Sequence, residues 1–362
     1  MKTLLIITFI DFWRGGAGHR ARLNALIAYL KETVKITVVY LGVVNDEDES
    51  ALQKYFPEIA LEPLERNIPL SYRAYGEKFA LYSADRTFDV ILVEYLELAF
   101  MLSYMDKKGT TILDIHDILS DKVESFKNAN LHYDGLILSA KEEFELYDHF
   151  NYVIAIQNED YRKICAKMGM SRALLVPHSV SVQKRRLKEH VSTIGYVGSE
   201  YLPNVDALAH FLTHSWKRIY SEFGLSLHIY GNICSKLTSD ILDKSPKTKL
   251  FGFYPDLNYV YENSDIMINP VRCGAGLKIK NVEAIANGLP LITTSHGAIG
   301  MEHGINKSFL IANSSDEFIL QIRRLVDDSS YRMGIGDNAY RFGRQHFSPT
   351  ACYAPLLKMI IN

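Results

Sequence analysis

The sequence has few cysteines, and they lie far apart. The four are Cys165, Cys234, Cys273 and Cys352, and no two of them form a Cys-x-x-Cys pair. This spacing is typical of reduced, mostly buried thiols and does not fit a disulfide framework or a structural zinc site. We therefore expect a cytoplasmic protein.

The chain also lacks a surplus of charge of one sign. Its 40 Lys and Arg residues nearly balance 42 Asp and Glu residues, which gives a net charge of −2. Nucleic-acid-binding proteins usually carry a basic surplus, so we predict no nucleic-acid partner. A small anionic ligand would require only a local basic site.

No hydrophobic run is long enough to cross a membrane. The opening MKTLLIITFI imitates a signal peptide, but Asp11 and RGGAG follow it instead of a small-residue cleavage site. The run at 90–105 contains Glu94 and Glu97 and falls short of the roughly 20 residues that a spanning helix needs. We predict a first strand at the opening and no transmembrane segment.

A regular alternation of apolar patterns runs along the chain. Its 362 residues exceed the roughly 100–200 of one ordinary domain, so we predict two domains. Short β-branched runs alternate with longer helical ones, which indicates parallel sheets covered by helices. The predicted strands are Leu4–Phe9, Ile36–Leu41, Val90–Val93, Thr111–Ile115, Gly135–Ser139, Val153–Ile156, Leu174–Val176, Thr193–Val197, Leu227–Tyr230, Lys249–Phe251, Ile266–Asn269, Leu291–Thr294 and Phe309–Ile311.

A basic stretch, SVQKRRLKEH at 181–190, interrupts this alternation. We place the domain boundary there and interpret KRRLK as a solvated linker in preference to a membrane anchor. The predicted domains are 1–182 and 183–346, and a helix at 347–362 follows them. Each domain opens with a strand, a glycine-containing turn and a helix, as Rossmann-like domains do.

The stretch CGAGLKIKNVEAIANGLPLITT, at 273–294, combines two glycines with two lysines before a helix. Gly274 and Gly276 allow close approach of the backbone to a ligand. The helix predicted to begin near Leu277 turns free N–H groups and its positive dipole end toward that ligand. Lys278 and Lys280 add full positive charge, so the pattern is typical of a diphosphate site.

Glu283 follows about one helical turn further on. Its carboxylate does not suit a phosphate, but it accepts hydrogen bonds from a vicinal diol such as that of a ribose. Gly288 is predicted to end the helix, and Pro290 prevents its continuation. The alternative interpretation is an ordinary helix–strand connection with Lys280 and Glu283 as a surface pair.

The longer stretch NPVRCGAGLKIKNVEAIANGLPLITT resembles the donor-site motif of retaining GT-B glycosyltransferases of glycosyltransferase family 4. The matching branch reads P-x-x-x-G-x-G-x-K/R-x-K-x-x-E-A-x-A-x-G-x-P. The resemblance covers nearly the whole chain and is loose between residues 45 and 85. Other agreeing stretches are RGGAGHR (14–20), LDIHD (113–117), VPHSV (176–180), YVGSEYLPNVDAL (196–208), LHIYGN (227–232) and LFGFYPDLNYVYENSDIMINP (250–270).

The resemblance implies a GT-B fold, which consists of two facing Rossmann-like domains with a cleft between them and a C-terminal helix that packs back on the first. It also implies a role for each matching residue. The catalytic residues are His116, which would orient the sugar, Lys280 and Glu283. The donor-binding residues are Gly15, Gly16, Gly198, Ser199, Phe253, Gly274, Gly276, Leu277, Lys278, Lys280 and Glu283.

Two departures from the family pattern stand out. Many relatives carry a second glutamate eight positions before the ribose-binding one, where this chain has Ala275. Many also have an Arg and a Lys in the first loop of the second domain, whereas GSEYLPN has neither. The pair Lys278 and Lys280 could compensate for the missing phosphate charge, while the sugar is left unspecified.

Three other motifs could indicate dinucleotide binding or metal binding, but each fits that function less well than the stretch at 273–294 fits a diphosphate site. The glycines at 15–18 do not follow the G-x-G-x-x-G spacing of dinucleotide-binding proteins. The D-x-D pattern at 46–48 lies in NDEDES, which we interpret as a solvated loop. Asp114, His116 and Asp117 could form a metal cluster, and His116 could equally be a hydrogen-bonded histidine at a strand end.

We therefore predict a transferase that moves a sugar from a nucleoside-diphosphate donor, such as a UDP- or GDP-sugar, to an acceptor hydroxyl with retention of configuration. No metal or other cofactor is assigned. The expected acceptor is a saccharide or a lipid- or protein-linked glycan of the cell surface, and peripheral contact with the inner face of a membrane is left open. The alternatives are a nucleotide-sugar 2-epimerase and a non-catalytic partner subunit.

Overall fold

The computed structural model describes residues 1–64, 71–106, 109–254 and 256–362. Contacts divide the chain into two units, each with its own parallel sheet. The prediction of two α/β, Rossmann-like domains is thus confirmed. The first unit comprises Met1–Val123, Asp134–Pro177 and Tyr353–Asn362, and the second comprises Glu124–Tyr133 and His178–Cys352.

The first domain is built on a parallel sheet with the order β3-β2-β1-β4-β5-β6-β7 among the described residues. One of its inner strands, β1, is a continuous apolar run because helices cover both faces of such a sheet, and Leu4 to Ile7 are fully buried. The strands are β1 (Thr3–Thr8), β2 (Lys35–Tyr40), β3 (Ala60–Pro63), β4 (Val90–Glu94), β5 (Thr110–Asp114), β6 (Tyr152–Ala155) and β7 (Ala173–Leu175).

Helices connect these strands as right-handed crossovers require. A 3₁₀ segment, Leu96–Tyr104, follows β4. The helices that begin in this half of the chain are α1 (Gly18–Leu30), α2 (Asp46–Tyr55), α3 (Tyr72–Ser83), α4 (Leu119–Asn128), α5 (Ala140–Tyr147) and α6 (Asn158–Met168).

The second domain repeats this plan with the strand order β10-β9-β8-β11-β12-β13 in the part of the chain that is described. Its central strand, Thr193–Val197, again comes first in the chain. The strands are β8 (Thr193–Val197), β9 (Ser226–Tyr230), β10 (Thr248–Gly252), β11 (Ile266–Asn269), β12 (Leu291–Thr293) and β13 (Leu310–Ile311).

These strands alternate with helices in the second half of the chain. A π-helical turn, Leu212–Trp216, joins the first two of them. They are α7 (Leu202–Phe211), α8 (Lys217–Phe223), α9 (Ser239–Asp243), α10 (Leu257–Glu262), α11 (Ile279–Ala286), α12 (Ser315–Asp327), α13 (Ser329–Phe347) and α14 (Pro349–Ile361). The apolar stripe of α14 is buried, and residues from Tyr353 onward belong to the first domain.

One predicted strand was wrong, and one strand was missed. Gly135–Ser139 forms no strand; Ile137 is 64% exposed, and Ser139 instead caps α5 by accepting a hydrogen bond from the Glu142 N–H. The missed strand is β3, a short edge strand that pairs only with β2. The other predicted strands agree with the structure to within a single residue at either end.

The acidic segment NDEDES is not a solvated loop. It starts α2, where Asn45 and Asp48 form a reciprocal capping box. Asp48 is buried, and its carboxylate accepts hydrogen bonds from Trp13 and Arg14. The acidic residues therefore form the first turn of a helix, where the positive end of the helix dipole stabilises carboxylates.

The basic segment at 181–190 is irregular and mostly exposed, as predicted for a linker, but some of its charged side chains are held in place. The Arg185 side chain is only 7% exposed and donates to Asn287 and Glu262. Lys188 pairs with the buried Asp265 at 2.8 Å. The segment is therefore fixed to the second domain by its charged side chains. Among the described residues, no helix is long and apolar enough to span a bilayer.

Candidate functional site

The loop between β11 and α11 carries the predicted anion-binding residues. Gly274 and Gly276 have φ angles of 97° and 70°, which residues with a Cβ resist. The helix begins at Ile279 with Lys278 as N-cap, slightly later than the predicted start near Leu277, whose side chain is buried. The Lys278 side chain does not cap the helix. The positive end of the helix dipole therefore faces this loop without a capping carboxylate.

Lys280 projects from the first turn of α11 into a neutral polar environment. Its Nζ donates to Asn204 Oδ1 at 2.8 Å and to the Tyr196 hydroxyl at 3.3 Å, and lies 4.7 Å from the centre of the Tyr196 ring. Burial, together with the charge of Lys278, lowers the pKa of Lys280 to about 7, although Glu283 acts in the opposite direction. Within the described ranges, Lys280 has no carboxylate at ion-pair distance.

Lys278 is turned back onto its own loop. Its Nζ donates to the carbonyl oxygens of Ala275 at 2.9 Å and Gly276 at 2.7 Å. These bonds hold the glycine loop closed around the ammonium group. The same carbonyls would have to share Lys278 with any phosphate that bound there.

Asn204, which the sequence did not indicate, links the first loop of the domain to Lys280. Its Nδ2 donates to Ser199 Oγ at 3.1 Å while its Oδ1 accepts from Lys280. The loop itself is tightly packed, because a Cβ at Gly231 would lie 2.1 Å from the Gly198 carbonyl oxygen. Gly198, Ser199, Asn204 and Lys280 therefore form one fixed group.

Glu283 lies one turn after Lys280 on α11, and the two do not form the alternative surface pair. The Oε2 atom of Glu283 accepts a 2.7 Å hydrogen bond from the Tyr261 hydroxyl. Burial raises the pKa of Glu283 to about 6, against the opposing effects of Tyr261 and Lys280. A partly desolvated carboxylate with a single described donor retains room for further hydrogen bonds.

Phe253 follows the end of β10 and has an exposed ring. Gly252, with φ of 67°, turns the chain at this point, and 52% of Phe253 is accessible. Nearby rings are stacked: Tyr230 on Phe251 at 4.6 Å and Tyr254 on Tyr259 at 4.6 Å. An exposed aromatic ring suits stacking on a base, but among the described residues no hydrogen bond or ring contact joins Phe253 to Lys280 or Asn204.

In the first domain, His116 is held by a carboxylate and a stack of rings. Its Nε2 lies 2.6 Å from Oε2 of the buried Glu94, and its ring stacks on Tyr95 at 4.1 Å. Tyr95 in turn stacks on Phe9 at 5.2 Å. The three rings lie just beyond the ends of neighbouring strands β1, β4 and β5. Tyr95 and His116 have positive φ angles of 70° and 57°, backbone strain that is common at functional sites.

A buried ion pair lies beside His116. The Arg22 guanidinium donates to Asp114 at 2.6 Å, and the two side chains are 1% and 0% exposed. Burial, followed by the Asp114 charge, raises the pKa of Glu94. Ligand atoms of Glu94, Asp114 and His116 cluster within 4.8 Å, but they already bind Arg22 and each other. Asp117, which we had grouped with them, pairs with Lys122 instead.

The glycine loop after β1 is fixed by acidic residues that the sequence analysis did not assign. Asp11 binds Arg20 through two hydrogen bonds, and Arg20 also donates to the Gly15 carbonyl at 3.0 Å. Asp48 binds Arg14 in the same bidentate way. Gly16 has φ of 90°, so the loop adopts a turn that favours glycine.

The predicted residues thus fall into two groups. The second domain brings together Gly198, Ser199 and Lys280, with Glu283 one turn away. His116, Gly15 and Gly16 belong to the first domain. The sequence analysis missed the partners that hold these residues: Asn204, Tyr261, Glu94, Tyr95 and Asp48. Two of them, Asn204 and Tyr261, lie within the matched stretches YVGSEYLPNVDAL and LFGFYPDLNYVYENSDIMINP, but the pattern assigned no role to either.

Known proteins resemble this chain in both sequence and fold. Residues 191–328 match the family described as glycosyl transferases group 1. A relative described as a 44.6 kDa protein in the cps region of Klebsiella pneumoniae is 21% identical, and the alignment covers 94% of this chain and 96% of that protein.

Solved structures match the entire chain. HepE of Anabaena, in complex with UDP and glucose, aligns over 100% of both chains with a TM-score of 0.71 and 16% identity. A TarM variant of S. aureus, in complex with fondaparinux, alpha-GlcNAc-glycerol and UDP, also covers 100% of both chains, with a TM-score of 0.77 and 11% identity. The fold is therefore GT-B, and the family match over residues 191–328 supports the predicted class of enzyme, a glycosyltransferase.

Proposed function

We propose that this chain transfers a hexosyl group from a UDP-sugar to a hydroxyl of a saccharide acceptor, with retention of the anomeric configuration, during assembly of a cell-surface polysaccharide. UDP is chosen because the HepE and TarM structures contain it. The polysaccharide setting is supported by the relative from a cps region. The match to group 1 glycosyl transferases covers residues 191–328, which include Lys280 and Glu283.

The observation that carries the proposal is the environment of Lys280. An ammonium group removed from water is unfavourable unless an anion or hydrogen bonds compensate it. Here the described partners are the neutral groups of Asn204 and Tyr196. A diphosphate would supply the missing negative charge, and the uncapped start of α11 would add N–H donors to it.

Glu283 extends this site from a diphosphate to a nucleotide. Its carboxylate has one described hydrogen bond, from Tyr261. The two hydroxyl groups of a ribose could donate to the remaining lone pairs. The spacing of Lys280 and Glu283 along α11 thus accommodates a phosphate and a ribose side by side.

Transfer requires stabilisation of the charges that develop as the glycosidic bond breaks. Lys280 and the helix N–H groups would stabilise the negative charge on the departing UDP, because fixed donors need no reorganisation. In this proposal the acceptor hydroxyl attacks the face from which UDP leaves, which retains the configuration. His116, held by Glu94 and Tyr95, would orient the sugar. The charge on the diphosphate is offset by lysines, so no metal is assigned.

The test begins with the donor. Thermal unfolding of the purified chain is measured with UDP-glucose, UDP-galactose, UDP-N-acetylglucosamine and GDP-mannose, since a ligand at one hundred times its Kd adds about 2.7 kcal/mol of stability. The stabilising donor is then incubated with an extract of cell-surface saccharides. Proton NMR of the product should show the anomeric configuration of the donor.

His116→Ala distinguishes binding from transfer. We expect unchanged UDP affinity by calorimetry and a loss of transfer of at least about 100-fold, since His116 lies in the other unit from Lys280. Full transfer by this variant would remove His116 from the proposal. Conversion of the donor sugar without any acceptor would instead indicate an epimerase, and the absence of any donor turnover would indicate a non-catalytic subunit.

A further inference from the structure

A groove lies in the second domain, between the turn that precedes β13 and one face of α13. Its volume is about 580 Å³, within the roughly 300–1,000 Å³ of typical small-molecule sites. On α13 it is lined at helical spacing by Gly334, Asn338, Arg341 and Gln345. None of the residues that we assign to the nucleotide lines it.

This groove carries uncompensated positive charge. Its lining contains Lys307 and Arg341 and no carboxylate, while burial lowers the pKa of the lining His346. In the described part of the chain, Lys307 and Arg341 form no ion pair, whereas the nearby acid Asp337 is paired with Lys184 at 2.7 Å. A groove with this composition favours an anionic ligand, and the planar fork of Arg341 suits a carboxylate or a phosphate.

The walls of the groove are preformed. Asn338 Nδ2 donates to the Lys307 carbonyl at 3.1 Å, which ties the turn to α13. Phe342 packs against His346 at 4.5 Å. A Cβ at Gly304 would lie 2.7 Å from the ring of Phe309, so the turn sits directly on the aromatic layer beneath it. A ligand would therefore meet a rigid surface, which reduces the entropy lost on binding.

The floor of the groove is open at Gly334. A Cβ added there would meet no atom within 4 Å. Glycine inside a helix costs about 1 kcal/mol relative to alanine, yet no packing in the structure calls for a glycine at this position. The space above Gly334 is therefore available to a ligand and can be filled by mutation without a clash.

We propose that this groove is an accessory site for an acidic saccharide, one that carries a carboxylate or a phosphate. Arg341 and Lys307 would bind the anionic group. The amides of Asn306 and Gln345 can donate to and accept from sugar hydroxyls, and the rings of Tyr331 and Phe342 offer apolar faces to the C–H groups of a sugar. The site is independent of the nucleotide and would hold a glycan on the donor-binding domain.

The experiment measures binding to the full chain by calorimetry in low salt. The probes are trigalacturonate, the neutral trisaccharide maltotriose, glucose 6-phosphate and inorganic phosphate. We expect trigalacturonate to bind and maltotriose not to bind. Binding of glucose 6-phosphate alone would assign the site to a free sugar phosphate. Inorganic phosphate that bound as well as either saccharide would overturn recognition of a sugar.

Two variants and one control locate the binding. Arg341→Gln should weaken trigalacturonate binding at least about ten-fold, the loss expected for one charged hydrogen bond. Gly334→Leu should block it while leaving every charge in place. Arg344→Gln is the matched control, because Arg344 is exposed on the same helix and does not line the groove.

UDP binding is the internal standard for these variants. It should be unchanged in all three, which shows that each is folded. Equal losses for Arg341→Gln and Arg344→Gln would indicate non-specific attraction and overturn the site. Unchanged trigalacturonate binding by Gly334→Leu would also overturn the site. If the unmodified chain does not bind UDP, urea unfolding replaces UDP binding as the check that each variant is folded, so the groove can be confirmed even if the proposed function fails.

Discussion

The candidate site residues of the two domains hold their charged groups in different ways. In the first domain, the Arg22 guanidinium pairs with Asp114, and the His116 ring is hydrogen-bonded to the Glu94 carboxyl group. In the second, Lys280 is bound only by neutral groups of the described residues. A paired charge fixes geometry, whereas a charge compensated by dipoles alone remains available for a ligand. We infer that the first domain holds a fixed arrangement and the second awaits an anion.

The largest expected effect comes from breaking a pair in the first domain. Arg22→Met leaves the Asp114 carboxylate buried without its cation, and we expect a loss of about 3–5 kcal/mol in the free energy of unfolding, measured in urea. The double variant Arg22→Met with Asp114→Leu should recover most of it. As control, Arg73→Met at an exposed pair should change nothing measurable. A similar loss of stability in Arg22→Met and Arg73→Met would show that the buried pair of the first domain is no more important than an exposed one.

A smaller effect is expected from removing the unpaired charge in the second domain. Lys280→Ala should weaken UDP binding about ten- to hundred-fold, as the loss of a charge-assisted hydrogen bond does. It should not destabilise the chain as Arg22→Met does, because no carboxylate is left behind. Calorimetry with UDP measures the change in affinity, and urea unfolding measures the change in stability. Unchanged UDP affinity would remove Lys280 from the site.

Glu283→Gln separates the ribose from the diphosphate. The amide retains the shape of the carboxylate but accepts hydrogen bonds more weakly. We expect UDP affinity to fall about ten-fold, while the affinity for inorganic pyrophosphate, which has no ribose, is unaffected. Parallel titrations with the two ligands check this. Equal losses would show that Glu283 does not act on the ribose.

The smallest effect is a dependence of UDP affinity on pH. Burial lowers the pKa of Lys280 to about 7, and a bound diphosphate favours the protonated form. UDP affinity should therefore fall about five-fold as the pH rises from 7 to 8. The pKa of Glu283 is raised to about 6, so affinity should also fall below that pH. In Lys280→Ala the decrease in UDP affinity above pH 7 should disappear. If the decrease persisted, a titrating group other than Lys280 would be responsible for it.

The sequence was informative where local pattern and tertiary structure agree. Buried central strands such as β1 and β8 are continuous apolar runs, and Gly288, with φ of 69°, ends α11 as predicted. The sequence was misleading where tertiary contacts determine the local structure. The run at 135–139 has the composition of a strand but pairs with no described strand of either sheet. NDEDES became helical because Asn45 and Asp48 cap each other.

The site shows the same division. The motif around Lys280 and Glu283 is contiguous, so it could be recognised from the sequence. The partners of these residues are distant along the chain: Asn204 lies 76 positions from Lys280, and Tyr261 lies 22 from Glu283. Glu94 likewise reaches His116 from the neighbouring strand. Such partners depend on sheet order and helix packing, which spacing alone does not specify.

The return of the chain at Tyr353 has a consequence for synthesis on the ribosome. Tyr353 is fully buried, contacts the ring of Tyr29 at 5.7 Å and donates to the Arg22 carbonyl at 3.4 Å. The first domain is translated early, but a piece of its core is encoded after the second domain. A nascent chain must therefore carry an incomplete first domain until residues 353–362 emerge, and a fusion or truncation at that end would act on the domain translated first.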